Sequence, residues 1–128
     1  MARVTTVLIV EDDKGVRRML RFAMREAGFD VVEAANGIEG LALLDTQGVD
    51  AVVLDLALPG ESQAAMLKRL RGRERKPPVW VAVSAMDERE AETKFGRLEG
   101  RLIAKPYNPW QVIGDIKAML VQRDGRAG

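Results

Sequence analysis

The chain has 128 residues, of which 47% are hydrophobic, and this is enough for one domain with its own apolar core. With 20 Lys and Arg residues against 19 Asp and Glu, the formal charge of +1 creates no overall field that would attract nucleic acid or an acidic membrane surface. Cys and His are absent, which excludes disulfides, thiolate metal sites and histidine acid–base catalysis. Any chemistry must therefore come from carboxylates, hydroxyls and Lys.

The first apolar segment, residues 4–10, ends abruptly in Glu11, Asp12 and Asp13. It is too short for a signal peptide or a membrane span, so we expect a cytoplasmic protein without membrane insertion. Its β-branched composition predicts a strand. Asp13 is suited to cap the helix that follows.

Four further β-branched runs predict strands at residues 30–33, 51–54, 79–83 and 102–104. The segments between them have helical periodicity. The fourth of these helices, at about residues 87–98, is rich in charge and is expected to be the most mobile. The apolar residues that mark the first four helices are Val16, Leu20, Ala23, Met24 and Ala27; Ile38, Leu41, Ala42 and Leu44; Ala65, Met66, Leu67 and Leu70; and Ala91, Phe95 and Leu98.

The last helix is predicted to begin with Asn108 as its N-cap and Pro109 in its first turn. Its apolar residues are Val112, Ile113, Ile116 and Leu120. The sequence then becomes polar from Gln122 onward. We therefore assign residues 1–122 to one domain and residues 123–128 to a polar C-terminal tail or linker stub.

The alternation of strands and helices predicts a doubly wound α/β fold, a five-stranded parallel sheet flanked by five helices. Ligands of such sheets bind at the carboxyl ends of the strands. The chemistry-bearing residues predicted at those ends are Glu11, Asp12, Asp55, Ser84 and Lys105.

Clustered carboxylates repel one another unless a cation neutralises them, and an all-oxygen ligand set suits Mg²⁺. We expect Asp12, Asp55 and a backbone carbonyl just after Asp55, at Ala57, to hold this ion. Glu11 is expected to reach it through water. This predicts a magnesium site at the carboxyl edge of the sheet.

Each of these residues also has an ordinary structural interpretation. Glu11 and Asp12 are acids of the kind favoured in the first turn of a helix, and Asp55 suits a turn. Ser84 can satisfy a backbone group at a strand end, and Lys105 can be a solvated loop cation. Their joint occurrence at the ends of separate strands favours the functional interpretation.

At these positions the sequence resembles the receiver domains of two-component response regulators. The resemblance covers residues 4–121 and is carried by the segments VLIVEDD, VVLDLALPG, VAVSA and AKP. It implies a flavodoxin-like sheet in the order 2-1-3-4-5. It also implies phosphorylation of Asp55, metal binding by Glu11 and Asp12, and an often cis peptide bond between Lys105 and Pro106.

Phosphoryl transfer needs an attacking group held in line and charge neutralised on the phosphoryl oxygens. Asp55 is the expected nucleophile, Ser84 would supply a hydrogen bond, and Mg²⁺ and Lys105 would supply positive charge. The phosphoryl donor is expected to be a histidine kinase, a histidine phosphotransfer protein or a small acyl phosphate. The domain would catalyse only its own phosphoryl transfer and dephosphorylation, and it is not otherwise expected to be an enzyme.

A downstream protein target is expected to bind the surface formed by the fourth helix, fifth strand and fifth helix. This surface includes Phe95, Leu102, Tyr107 and Trp110. The family usually has an aromatic residue where Leu102 stands, so we expect activation to shift the helix and its loop rather than to flip a ring. No direct nucleic-acid binding is expected of this domain.

Three alternatives compete with this interpretation. A degenerate receiver would bind partners without being phosphorylated. An aspartyl phosphatase or phosphomutase would have a second acid two residues after Asp55, where this chain has Ala57. A flavin-binding protein would need a phosphate loop after the first strand, where Glu11, Asp12 and Asp13 would repel the phosphate. The chain also departs from the receiver pattern after its Leu-Pro-Gly turn, where it has Glu61-Ser62-Gln63 in place of an acidic residue followed by glycine.

Overall fold

Strands and helices alternate along the chain in the computed structural model, which describes residues 4–58, 62–72 and 77–125. The strands are β1 (Thr6–Val10), β2 (Asp30–Ala34), β3 (Ala51–Asp55), β4 (Val79–Ser84) and β5 (Leu102–Ala104). The helices are α1 (Lys14–Glu26), α2 (Gly37–Thr46), α3 (Ser62–Leu70), α4 (Glu88–Phe95) and α5 (Pro109–Asp124). The expected turn at Pro59 and Gly60, with Glu61 after it, lies outside the described residues.

All five strands are parallel and lie in the order β2-β1-β3-β4-β5, which confirms the predicted fold class. β1 and β3 are adjacent, with Val10 opposite Leu54, and β3 lies beside β4, with Asp55 opposite Val83. The register therefore brings the carboxyl ends of β1, β3 and β4 to the same edge.

The core has two layers, one on each face of the sheet. Successive side chains of a strand point to opposite faces. Val7 and Ile9 of β1 therefore pack with α1 and α5, while Leu8 and Val10 pack with Met66 of α3 and the other side of the core. Burial on both faces explains why the central strands are continuously apolar.

The caps predicted from the sequence are present. The Asp13 side chain accepts a hydrogen bond from the Val16 N–H at 2.9 Å and begins α1. Asn108 accepts one from the Trp110 N–H at 2.8 Å, with Pro109 in the first turn of α5. Each acceptor satisfies one of the amides that a helix start leaves without a partner.

The predicted core faces of α2 and α3 are wrong at three positions, because Ile38, Ala42 and Ala65 are all exposed. Ile38 is 75% exposed, because α2 instead packs through Gly40, where an added Cβ would lie 3.1 Å from atoms of both Met66 and Val10. Ala65 is also exposed, and Gln63 is buried in its place. A helix that approaches its neighbour through glycine turns adjacent large residues outward.

The fourth helix is shorter than predicted. It ends at Phe95, and the apolar residue expected to continue its row, Leu98, is buried in the loop that follows. The Leu98 N–H donates to the Glu92 carboxylate at 2.9 Å. Arg71 donates to the carbonyls of Phe95, at 2.8 Å, and Arg97. These contacts hold the chain after the helix against the end of α3.

The last helix is longer than predicted. The sequence predicts a polar tail that begins at Arg123, yet α5 continues to Asp124. Arg123 donates to the Pro77 carbonyl at 3.2 Å and the Asp50 carbonyl at 3.5 Å, so tertiary contacts stabilise the last turn. Residues 126–128 of the expected tail lie outside the described residues. No helix among the described residues combines the length and hydropathy needed to cross a bilayer.

Candidate functional site

Three acids converge at the carboxyl edge of the sheet. Glu11 and Asp12 follow β1, and Asp55 is the last residue of the neighbouring β3. One carboxylate oxygen from each lies within 4.8 Å of the others. Glu11 and Asp55 are each only 3% exposed, whereas Asp12 is exposed to solvent. Two buried acids and one exposed acid therefore share one pocket of negative charge.

Glu11 is the most perturbed of these acids. Burial raises its pKa from 4.5 to about 8, and hydrogen bonding to Asp55 and the charge of Asp55 act in the same direction. Its buried Oε2 atom has no hydrogen-bond partner among the described residues. Arg17 donates to the Glu11 backbone carbonyl at 2.7 Å and fixes the backbone here. A cation bound nearby would therefore stabilise the ionised form of Glu11.

Asp55 is held by donors on one oxygen. Its Oδ1 accepts hydrogen bonds from the Ala57 N–H at 2.8 Å and from Lys105 Nζ at 2.9 Å. Burial alone would raise the pKa of Asp55, but hydrogen bonds from Glu11, Ala57 and Lys105, together with the charge of Lys105, lower it below its ordinary value. Asp55 is therefore ionised at neutral pH.

Ser84 and Lys105 come to this edge from β4 and the end of β5. The Lys105 N–H donates to the Ser84 carbonyl at 2.8 Å, which joins the two segments. The Ser84 hydroxyl is buried and accepts from the Met86 N–H at 2.8 Å. The peptide bond between Lys105 and Pro106 is cis, as the resemblance implied. All five side chains predicted for the site thus lie at one edge.

The donor set fits a divalent cation. Three carboxylates supply oxygen ligands, and oxygen ligands suit Mg²⁺. The buried Oε2 of Glu11 has no hydrogen-bond partner among the described residues, and Lys105 pairs with Asp55 within this group of acids. A bound cation would neutralise the excess negative charge and satisfy this oxygen.

Sequence reasoning missed two contacts around the site. The sequence predicts Tyr107 on the output surface, yet its hydroxyl is buried without a hydrogen-bond partner among the described residues. Burial, with the charges of Glu11 and Asp55, raises the pKa of Tyr107 to about 12. Gln63 is buried against the chain after β3. The position of Tyr107, two residues after Lys105, could have indicated its burial near the site. The burial of Gln63 could not be predicted from the sequence, because it depends on the path of the chain after β3.

The family comparison agrees with this geometry. Residues 7–117 match the family model described as the response regulator receiver domain. The chain belongs to this family, whose members are receiver domains of two-component response regulators and serve as signalling domains.

Individual relatives point the same way. The chain is 37% identical over 119 residues to the sensory transduction protein RegX3 of Mycobacterium tuberculosis H37Rv, a match that covers 91% of this chain and 51% of the relative. RegX3 of Mycolicibacterium smegmatis is 36% identical over the same length and with the same coverage. The chain therefore spans about half the length of these curated relatives.

Solved structures share the fold. A putative response regulator from Chloroflexus aurantiacus superposes with a TM-score of 0.78 at 31% identity, covering 93% of this chain and 99% of that one. The Francisella response regulator 1452 receiver domain gives 0.76 at 28% identity, covering 94% and 98%.

Proposed function

We propose that this domain receives a phosphoryl group on Asp55 in a reaction that depends on Mg²⁺ and that switches a protein-binding surface. The observation that carries the proposal is the contact of 2.9 Å between Lys105 Nζ and Asp55 Oδ1 inside a cluster of three acids. A buried carboxylate with a fixed cation on one oxygen and room for a metal on the cluster is suited to phosphoryl transfer.

The roles divide among the residues of the site. Asp55 Oδ1 accepts from Ala57 and Lys105, so we assign attack to Oδ2. This oxygen forms a bond to phosphorus while the bond from phosphorus to the donor's imidazole nitrogen or acyl oxygen breaks, and the bonding electron pair leaves with the donor. Lys105 stabilises charge on the phosphoryl oxygens, and Ser84 donates a hydrogen bond to one of them.

We assign metal binding to Asp12, Asp55 and the Ala57 carbonyl, with Glu11 acting through water. When bound, Mg²⁺ supplies positive charge to the phosphoryl oxygens. The partly exposed position of this cluster supports the assignment, because Asp12 lies at the surface while Glu11 and Asp55 lie beneath it. A donor's phosphoryl group can approach from the side of Asp12.

We place this domain in the cytoplasm, with a histidine kinase or histidine phosphotransfer protein as its donor and a protein target for α4, β5 and α5. Trp110 is 53% exposed at the start of α5, which supports a contact role for it. Phe95 and Leu102 are half-buried, and the Tyr107 hydroxyl is buried. We therefore centre the proposed surface on Trp110 and keep Tyr107 at its inner boundary.

Intact mass measurement after incubation with acetyl phosphate and Mg²⁺ tests the proposal. The wild-type protein should gain one phosphoryl group, and the gain should disappear with a chelator or in Asp55→Asn. Asp50→Asn, which changes a buried acid at the other end of β3, should still gain it.

A phosphoryl gain in Asp55→Asn would reject the acceptor assignment. No gain in the folded wild-type protein from either acetyl phosphate or a panel of histidine kinases would favour the degenerate receiver, which binds partners without phosphorylation.

A further inference from the structure

Gln63 lies in the first turn of α3 and is only 4% exposed. Its Nε2 group donates to the Leu56 carbonyl at 3.3 Å and also to the Leu58 carbonyl. Its buried Oε1 has no hydrogen-bond partner among the described residues. A buried side-chain amide whose bonds go to two carbonyls of one loop fixes the path of that loop.

The two carbonyls that Gln63 holds lie on either side of Ala57. The Leu56 carbonyl and the Ala57 N–H belong to one planar peptide unit. Gln63 binds the oxygen end of this unit, and Asp55 Oδ1 accepts from its N–H end at 2.8 Å. The next peptide unit carries the Ala57 carbonyl. The unit after that carries the Leu58 carbonyl, which also accepts a hydrogen bond from Gln63. The direction of the Ala57 carbonyl is thereby restricted from both sides.

We infer that Gln63 is a positioning residue, which presets the Ala57 carbonyl and the Asp55 carboxylate for a divalent cation. The inference rests on the proposed function, since that function makes both groups metal ligands. Outer groups that orient ligands typically change metal affinity by about 10- to 100-fold when they are removed. Gln63 acts only through the backbone that it holds, so it should affect metal binding without touching the ion.

The experiment measures Mg²⁺ affinity by isothermal titration calorimetry, well below the melting temperature of every variant. Gln63→Met keeps the length of the side chain and removes the donor, and it should weaken Mg²⁺ binding by about tenfold. Gln63→Gly serves as a second variant if the methionine protein does not fold, with the same expected loss. The Ala57 amide resonance should also shift and exchange faster in either variant, because its peptide unit is no longer held at the oxygen end.

Leu70→Ala is the matched control. Leu70 is buried at the opposite end of α3, so its truncation destabilises the helix without touching the loop after β3. This control should melt at a lower temperature and bind Mg²⁺ as the wild-type protein does. Wild-type affinity in the Gln63 variants, or an equal loss of affinity in Leu70→Ala, would overturn the positioning role.

The outcomes also separate the two proposals. If the wild-type protein binds no Mg²⁺, the proposed function and the role of Gln63 both fail. If the wild-type protein binds Mg²⁺ and takes up the phosphoryl group while Gln63→Met binds equally well, only the role of Gln63 fails.

Discussion

Strand β3 has a buried acid at each end, and the two acids behave differently. Asp50 immediately precedes the strand and is 6% exposed, while Asp55 ends it and is 3% exposed. Each contacts a cation from the last part of the chain. Arg123 lies 3.9 Å from Asp50, and Lys105 lies 2.9 Å from Asp55.

The difference lies in what surrounds each pair. Asp50 accepts a hydrogen bond from the Thr6 N–H at 2.9 Å, and Arg123 also donates to backbone carbonyls. At the edge of the sheet where the strands begin, these contacts join β1, β3 and α5. In the described part of the chain, the group of three acids close enough to share an ion lies at the other edge, around Asp55. Asp50, whose carboxylate is matched by donors, stabilises the fold, whereas the clustered acids around Asp55 favour binding of a cation.

The largest difference between the two edges should appear in the pH dependence of stability without metal. The folded-state pKa of Glu11 is about 8, above its ordinary 4.5, so between these values the folded protein keeps a proton that the unfolded chain has lost. Stability should therefore fall as pH rises through this window, with a slope of up to about 1.4 kcal/mol per pH unit. Urea unfolding in chelator at pH 5, 6, 7 and 8 measures it.

The lowered pKa of Asp55 does not affect the slope between pH 5 and 8. Its contribution to the free energy of unfolding is fully present above the ordinary pKa of 3.8 and is lost as pH falls below that value. Glu11→Gln should flatten the curve between pH 5 and 8, and Asp50→Asn should keep the wild-type slope. An unchanged slope in Glu11→Gln would show that another group causes the dependence.

Replacing Asp50 and Asp55 separately by alanine should change the free energy of unfolding by different amounts, because Asp50 belongs to a structural ion pair and Asp55 to a cluster of acids. Asp50→Ala leaves the Thr6 N–H without its acceptor and removes the ion pair with the largely buried Arg123, so it should cost on the order of 2 to 4 kcal/mol, between the values for exposed and buried pairs. Asp55→Ala removes Lys105's partner but also removes the cost of burying the Asp55 charge, so the net change without metal should stay below about 1 kcal/mol. Equal losses in urea unfolding would contradict the distinction.

Mg²⁺ should stabilise the protein through one edge only. At a concentration of ten times its dissociation constant, the ion should add about 1.4 kcal/mol to the free energy of unfolding. Asp50→Ala should keep this increment, and Asp12→Ala should lose it because a direct ligand is gone. Glu11→Gln should lose less, and equal Mg²⁺ affinity in Asp12→Ala and wild type would reject this order.

The smallest expected effect concerns the cations. Lys105→Ala should still take up some phosphoryl group, but it should show smaller backbone NMR shifts from Met86 to Trp110 on addition of Mg²⁺ and beryllofluoride, a phosphoryl mimic. Lys105 connects Asp55 to the end of β5, and without it this connection is lost. Arg123→Ala, which changes the cation at the other edge, should keep the full pattern of shifts. A wild-type response in Lys105→Ala would exclude this role.

Much of the molecule could be predicted because it depends on local or periodic features of the sequence. Continuous apolar runs specify strands buried on both faces, and Asp13 and Asn108 cap helices through amides two or three residues away. Parallel topology then places the residues that follow the strands at one edge, which is how Glu11, Asp55 and Lys105 were found.

The tertiary structure decided the rest. Arg123 stabilises the end of α5 through partners 46 and 73 residues away. Gln63 is buried because it bonds to the chain that follows β3. Ile38 is exposed because Gly40 brings α2 close to α3. None of these contacts has a periodic or local signature. The same holds for the charge environment that separates Asp55 from Asp50, because a carboxylate's pKa and demand for a cation depend on which distant groups the fold places within a few ångströms of it.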